Sequence, residues 1–483
     1  MNYSMVFRIV GRISGMLAVI LLIPSAVSLI YKESIRGFAA AILISAALCV
    51  FCHFITRNKT IRMFSKEGFA SVALSWIMLS LIGAVPFVVE GEIPSYIDAL
   101  FETISGFTTT GASILKDVES MSRGLLFWRS FTHWIGGMGI LVLMMAVLPT
   151  SEQYSMYIMR AEVPGHEAGK LVPKVQNSSL ILYLIYVFLT LLEIVLLLFG
   201  DMPLFDSVVH AFGTAGTGGF GIKAASVGAY NSAYIDIVIS VFMLLFGINF
   251  NLYFLLLMKK AGAVIRNEEF RLYVLIVAAS TLLIAVNIMS IYGDFITALR
   301  YSFFQVSSII TTTGFATADF NLWPQFSKVL LVLLMMIGAC SGSTAGGIKV
   351  SRVLILFRAG NSEIKHMLRP NSYCSVQLNG KRVDRRVVHG VLVFFLLYML
   401  ITLACVLALS LENYDAETIF TSVITCISNV GPGLGLAGPV ENFAFYSDAS
   451  KLLLSLCMLM GRLEIFPILM LFSPNTWKRS SRF

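Results

Sequence analysis

Four short runs of hydroxyl, small and glycine residues recur along the chain: Thr108-Thr109-Thr110-Gly111, Gly216-Thr217-Gly218-Gly219-Phe220, Thr311-Thr312-Thr313-Gly314-Phe315 and Ser428-Asn429-Val430-Gly431. What such wording offers chemically is oxygen. Glycine permits the backbone angles of a tight extended loop, and threonine hydroxyls add oxygen ligands or brace the loop from behind. Backbone carbonyls turned inward replace the hydration shell of a cation. One Gly/Thr cluster on its own reads as a helix break or a close-packing point between membrane helices. Four copies, each closing a segment too short to cross a bilayer, predict instead a ring to which each loop gives one quarter.

The elements that must hold these loops follow from composition. Of the 483 residues, 57% are hydrophobic and only 13% charged, too apolar for a water-soluble protein of this size. A window of about 20 residues, the length that crosses the hydrocarbon, gives spans near 7–30 and 37–56. Pairs of spans then bracket each loop: 68–89 with 124–149, 178–200 with 232–258, 270–292 with 324–358, and 388–410 with 449–473. Short helices at roughly 95–106, 203–214, 295–309 and 415–427 precede the loops and aim their negative ends at them, which favours cations. The glycines 111, 219, 314 and 431 are separated by 108, 95 and 117 residues (219−111, 314−219, 431−314), a consistent unit length. The predicted fold is an all-α integral membrane protein: two N-terminal transmembrane helices (1–60) and four pseudo-symmetric helix–loop–helix repeats, 61–165, 166–265, 266–370 and 371–483, around a central pore.

Basic residues orient the chain. Arg8 and Arg12 lie at the N-terminus, Arg57, Lys59, Arg62 and Lys66 follow the second span, and Lys259, Lys260, Arg266 and Arg271 separate repeats two and three. Lys349 to Arg386 contains a long basic stretch between repeats three and four, of which Arg358 to Arg386 reads as a solvated loop, and Lys478, Arg479 and Arg482 end the chain. By the positive-inside rule these segments and both termini are cytoplasmic, and every glycine loop faces outside. The net charge of +8 therefore reflects lipid orientation and not nucleic-acid binding. Acidic Glu90, Glu92, Glu412, Asp415 and Glu417 fall on the outer side, as solvated loop residues or as attractors of cations to the mouth. Seven scattered cysteines, Cys374 among them, show no disulfide framework, and the first apolar run lacks a cleavage pattern.

Residues 324–358 would form a helix of about 52 Å at ~1.5 Å per residue, longer than the hydrocarbon core, so the helix must break. The break is readable at Gly338 to Gly347, rich in glycine and hydroxyls, which places a polar loop at mid-membrane under the third glycine loop. A phosphate-binding P-loop is excluded, because no Ser/Thr follows Lys349. Arg462, in the last span, is an intramembrane arginine that needs a cavity or a partner. Glu464, two residues on, points in a different direction on a helix.

These residues resemble the Trk/Ktr/HKT superfamily of potassium transporters. The resemblance rests on the four loops, on Gly338-Ala339-Cys340-Ser341-Gly342-Ser343-Thr344-Ala345-Gly346-Gly347-Ile348-Lys349, on Gly431-Pro432-Gly433-Leu434-Gly435 and on Gly461-Arg462-Leu463-Glu464. The extra N-terminal spans and the length resemble the bacterial TrkH/TrkG type. The resemblance implies a selectivity filter with ion-coordinating positions at Thr109, Thr110, Gly111, Thr217, Gly218, Gly219, Thr312, Thr313, Gly314, Asn429, Val430 and Gly431. It implies a gate formed by Gly342, Ser343, Thr344, Gly346 and Gly347 with Arg462. It further implies K+ as transported ion, no covalent cofactor, a homodimer, an inner-membrane location, and a TrkA-like cytosolic ring binding NAD(H), ATP or ADP. Serine at the first loop accompanies sodium preference in related plant transporters, so Gly111 argues for potassium. Copies two and four depart from Thr-Thr-Thr-Gly, which leaves the strength of selection open.

Other readings are weaker. No HExxH or GxSxG wording supports a membrane enzyme. A proton- or sodium-coupled potassium symporter stays open as the alternative, although four loops facing one way favour a channel-like path. Cys49-Val50-Phe51-Cys52-His53 matches a haem-attachment wording, but inside an apolar span. Gly11 and Gly15 form a small-xxx-small pair for packing or dimerisation. Arg129, His133 and Glu193 read as packing or dimer contacts.

Overall fold

The computed structural model describes residues 1–57, 65–139, 175–370 and 375–478. Its helices are apolar on the outside. In Arg385–Leu409, Leu392, Leu396, Leu400, Leu403 and Leu407 are exposed at three- and four-residue intervals, while Phe394, Tyr398, Thr402 and Cys405 on the opposite face are buried. Val175–Phe199 repeats the pattern, with Leu184, Phe188, Leu191 and Val195 outward and Tyr186, Thr190 and Glu193 inward. Uncovered leucine stripes with polar groups turned inside are the pattern of helices solvated by lipid. Among the described residues, six helices are long and apolar enough to cross a membrane, and one bent pair adds a seventh.

Helices α1 (Tyr3–Ile20) and α2 (Leu22–Ile30) form the first span and α3 (Arg36–Thr56) the second. The first unit contains α4 (Ser65–Gly83) with α5 (Val85–Val89), the short α6 (Tyr96–Phe107) and α7 (Arg123–Met138). The second contains α8 (Val175–Phe199), the short α9 (Leu204–Gly216), α10 (Ala233–Phe246) and α11 (Phe250–Leu257). The third contains α12 (Glu268–Tyr292), the short α13 (Phe295–Ile310), α14 (Gln325–Ile337) and α15 (Val350–Leu368). The fourth contains α16 (Arg385–Leu409), the short α17 (Ala416–Ser428), α18 (Asp448–Arg462) and α19 (Phe466–Phe472). Ser95, Asp294 and Asp415 start α6, α13 and α17 by accepting a hydrogen bond from a first-turn N–H, and Pro203 starts α9.

The predicted continuous spans 232–258 and 449–473 are both broken. Between α10 and α11 the chain turns by 90°. There Asn249 caps α11 by accepting from the Asn251 N–H (2.9 Å), and Gly247 lies too close to the Tyr273 hydroxyl for any side chain. Between α18 and α19, Glu464 and Ile465 take left-handed φ values of 56° and 67°, and Pro467 lies in the first turn of α19. The predicted break in 324–358 is present, with α14 ending at Gly338 (φ 70°) and α15 beginning after Lys349. Where the sequence predicts a solvated loop beyond Arg358, α15 continues to Leu368, and Gln377–Leu378 pairs with Lys381–Arg382 as a small hairpin. Residues 140–149 of the predicted span 124–149, the unit boundaries at 60/61 and 165/166, and Lys59, Arg62, Cys374, Arg479 and Arg482 lie outside the described residues.

Candidate functional site

All four short helices end alike. The Thr109 and Thr110 N–H groups donate to Gly106 and Ser105 carbonyls (3.1 and 2.9 Å), and those of Thr217 and Gly218 to Thr214 and Gly213 (3.0 and 2.8 Å). Thr312 and Thr313 donate to Ile309 and Ser308 (3.1 and 2.8 Å), and Asn429 and Val430 to Cys426 and Thr425 (3.4 and 2.9 Å). Bonds three and five residues back are the Schellman C-cap, which places a left-handed residue just past the helix. Thr109, Thr217, Thr312 and Asn429 occupy that position at φ 55°, 55°, 56° and 57°. A β-branched residue there is strained by about 1–3 kcal/mol. At Thr312 the hydroxyl supplies a compensating bond, accepting from the Gly346 N–H at 2.7 Å. Asn429 donates its amide to Thr110 Oγ1 (3.0 Å) and to the Met458 carbonyl (2.9 Å).

Two residues later the glycines are also left-handed: Gly111 at 82°, Gly219 at 75°, Gly314 at 85° and Gly431 at 100°. A Cβ on Gly111 would collide with the Gly218 carbonyl, and one on Gly219 with that of Thr313. One on Gly314 would meet the Val430 carbonyl, and one on Gly431 the Thr110 carbonyl, each closer than 3 Å. Each loop thus abuts the next in chain order, and the fourth returns to the first. All four glycines line one cavity of about 140 Å³. Among the described residues no group of three or more His, Cys, Asp or Glu is arranged to hold a metal, and the groups that meet at the ring's close contacts are backbone carbonyls.

Side chains that the sequence marked as packing brace this ring. His133 Nε2 accepts from the Phe220 N–H (3.3 Å), so its Nδ1 carries the proton and donates to the Gly106 carbonyl (2.7 Å). Its ring occupies the space a Cβ on Gly218 would need, which explains that glycine. Buried Arg129 pairs with buried Glu102 at 2.5 Å and donates to the Gly221 carbonyl, while Glu102 accepts from Ser113 Oγ and the Ile114 N–H (3.0 Å each). The signal available was the rarity of ionisable groups at membrane depth. The five outer acids do not line the cavity, whose charged lining is Lys116, Lys223, Arg129 and Glu441. Each is bonded internally: Glu90 to the Gly37 N–H, Glu92 to that of Ser122, Glu412 to Ser447, Asp415 to Thr418 and Glu417 to Lys328.

Beneath the ring lies the 338–349 loop. The Gly347 N–H donates to the Ser428 carbonyl at the end of α17 (2.9 Å), and a Cβ on Gly346 would strike that same carbonyl. The Cys340 N–H donates to the Gly247 carbonyl (3.1 Å), and the Phe250 N–H to that of Gly342 (3.0 Å), joining this loop to the bend between α10 and α11. Ser343 Oγ turns back to the Cys340 carbonyl (2.7 Å). Arg462 donates to the Thr344 carbonyl (2.7 Å) and to the carbonyls of Gly136 and Gly137 at the end of α7. Glu464 instead pairs with Arg352 at 2.6 Å.

A family model for TrkH, described as a cation transport protein, matches residues 31–479. The chain belongs to the TrkH family. It is 38% identical to the Trk system potassium uptake protein TrkH of Salmonella typhimurium, over 98% of this chain and 99% of that one. It is 36% identical to the Trk system potassium uptake protein TrkG of Escherichia coli K12, over 99% and 100%. The crystal structure of the potassium transporter TrkH from Vibrio parahaemolyticus superposes with a TM-score of 0.88 at 33% identity, covering 99% of this chain and 100% of that one. This TrkH-family chain is a multi-pass membrane transport protein and not an enzyme.

Proposed function

We propose that the chain takes potassium into bacteria across the inner membrane through a channel-like pore. The selectivity filter is the four-loop ring, made by Thr109, Thr110, Gly111, Thr217, Gly218, Gly219, Thr312, Thr313, Gly314, Asn429, Val430 and Gly431. The observation that carries this reading is the closure of the four glycine loops upon one another in chain order. The first and third residues of each loop have positive φ and the middle one does not, an alternation shared by all four loops that supports a common course for their carbonyls. The carbonyl ends of four short helices converge there and add partial negative charge. A potassium ion then exchanges water for peptide oxygens. The fourfold arrangement of units 61–165, 166–265, 266–370 and 371–483, outside the N-terminal pair 1–60, belongs to the same reading.

The 338–349 loop is the gate. Gly342, Ser343, Thr344, Gly346 and Gly347 cross directly under the ring, and Arg462 holds the Thr344 carbonyl. Regulation by a cytosolic nucleotide-binding ring of the TrkA type, assembly as a homodimer, and cytoplasmic termini complete the proposal, supported by family membership and by the basic residues at one end of the spans.

Gly314→Ser tests the filter. Both the left-handed φ and the Val430 carbonyl oppose a side chain there. Rubidium uptake by a potassium-uptake-deficient bacterium should fall by about tenfold, the effect of ~1.4 kcal/mol. Unchanged uptake at equal expression would refute it.

A further inference from the structure

Two sequence features take no part in the ring: the Gly11/Gly15 pair and the run Cys49-Val50-Phe51-Cys52-His53. They meet each other. A Cβ on Gly11 would stand 2.5 Å from Cys52 Cβ, and one on Gly15 2.9 Å from the Cys49 sulfur, so α1 and α3 touch almost at backbone level along this face. Beside that contact, where α1 begins and α3 ends, a cleft of about 250 Å³ opens.

Its walls carry Arg8 and Arg12 from α1, His53 and Thr56 from α3, and Arg57, which ends α3. Among the described residues, no acidic one lines it. Arg8 donates to the Thr56 carbonyl, one of the unpaired carbonyls of the α3 C-terminus. Arg12, His53 and Arg57 are exposed. Three guanidinium groups with no carboxylate among them repel one another, and an anion placed between them removes that repulsion. Guanidinium forks match the oxygens of a phosphate.

The surroundings select the carrier of the phosphate. Three residues before His53 and Arg57, and so on the neighbouring row of α3, Val50 is 53% exposed and Phe54 66%, an uncovered apolar strip beside the cationic lining. A free anion uses only the lining, whereas a phospholipid uses both. We propose that this cleft binds the phosphate headgroup of an anionic phospholipid, seated among Arg8, Arg12 and Arg57 with its acyl chains along Val50 and Phe54. Basic pockets between membrane helices on the cytoplasmic side bind such headgroups by the same physics. The site lies close to where the chain termini are tied together, with the Met1 ammonium donating to the Lys478 carbonyl (2.8 Å) and the Tyr3 hydroxyl to that of Trp477 (2.7 Å). A lipid held there bridges α1 and α3 within the N-terminal pair.

Native mass spectrometry of the purified full-length protein, titrated with cardiolipin, tests this. The triple variant Arg8→Gln/Arg12→Gln/Arg57→Gln should bind about a hundredfold more weakly, given about fivefold for each basic residue at an anionic surface. The single Arg12→Gln should lose about fivefold. A charge-matched control, Lys259→Gln/Lys260→Gln/Arg266→Gln, should bind as the unaltered protein does. Equal loss in the control would overturn the site. If millimolar inorganic phosphate competes with cardiolipin at the same arginines while a zwitterionic phospholipid bearing identical chains adds nothing, the lipid assignment stands. If inorganic phosphate binds alone as strongly as the lipid, it falls. Rubidium uptake by the triple variant, measured in parallel, separates failure of this site from failure of the transport reading.

Discussion

Thr109, Thr217 and Thr312 each adopt a backbone conformation that a β-branched residue resists, at equivalent points of three different loops. Strain repeated in this way belongs to a site whose neighbours over-determine it. His133 is one of those neighbours. It accepts from the Phe220 N–H and gives the Gly106 carbonyl a second donor beside the Thr109 N–H, so His133→Phe leaves the buried Phe220 N–H unpaired at about 1–3 kcal/mol. We expect a lowered thermal midpoint together with rubidium uptake reduced by about tenfold or more. Uptake and midpoint both equal to the parent's would show that loops one and two do not depend on this imidazole. Arg462→Ala releases the Thr344 carbonyl, and cation flux into proteoliposomes should rise several-fold, by roughly 1 kcal/mol of lost restraint. Equal or lower flux at matched reconstitution would remove Arg462 from the gate.

At the scale of elements, the second spans of units two, three and four all break, at 247–249, 338–349 and 463–465. The breaks touch: the longest one bonds to Gly247 and Phe250 on one side and to Arg462 on the other. Only that longest break was legible in the sequence, because four glycines in ten residues overwhelm helix propensity. The other two hang on one or two residues each, Asn249 and the pair Glu464–Ile465, whose effect depends on what lies beside them. The short helices were legible because a capping residue, a brief apolar run and a glycine all fall within one window. Deleting Ser343, Thr344 and Ala345 should raise flux several-fold in the same proteoliposome assay, with roughly 1 kcal/mol again the scale. A deletion that folds, by gel filtration, yet conducts no faster would mean that the loop is not the obstruction.

The whole molecule turns apolar helix faces outward and holds its buried polar groups within a largely apolar core. The leucine stripe of α16 faces outward over its full length, so Leu400→Arg should lower the membrane-inserted fraction, the penalty at a helix centre being about 2.5–3.5 kcal/mol. An unchanged fraction would show that this stripe is covered by protein. Orientation is tested by a membrane-impermeant maleimide. Lys116→Cys, beside the ring cavity, should label on intact cells, and Lys260→Cys only after lysis. The reverse result would invert the topology while leaving the ring untouched.

Taken alone, the sequence determined the solvent, the four glycine loops, the short helices and the glycine-rich interruption, since each is written in composition or local wording within a few dozen residues. Tertiary structure alone decided which carbonyl each glycine abuts, which histidine bridges two loops, and where Asn429 reaches, 319 residues back to Thr110. Contacts across such separations leave no local signature, because a residue's partner is set by how distant helices pack and not by its neighbours in the chain.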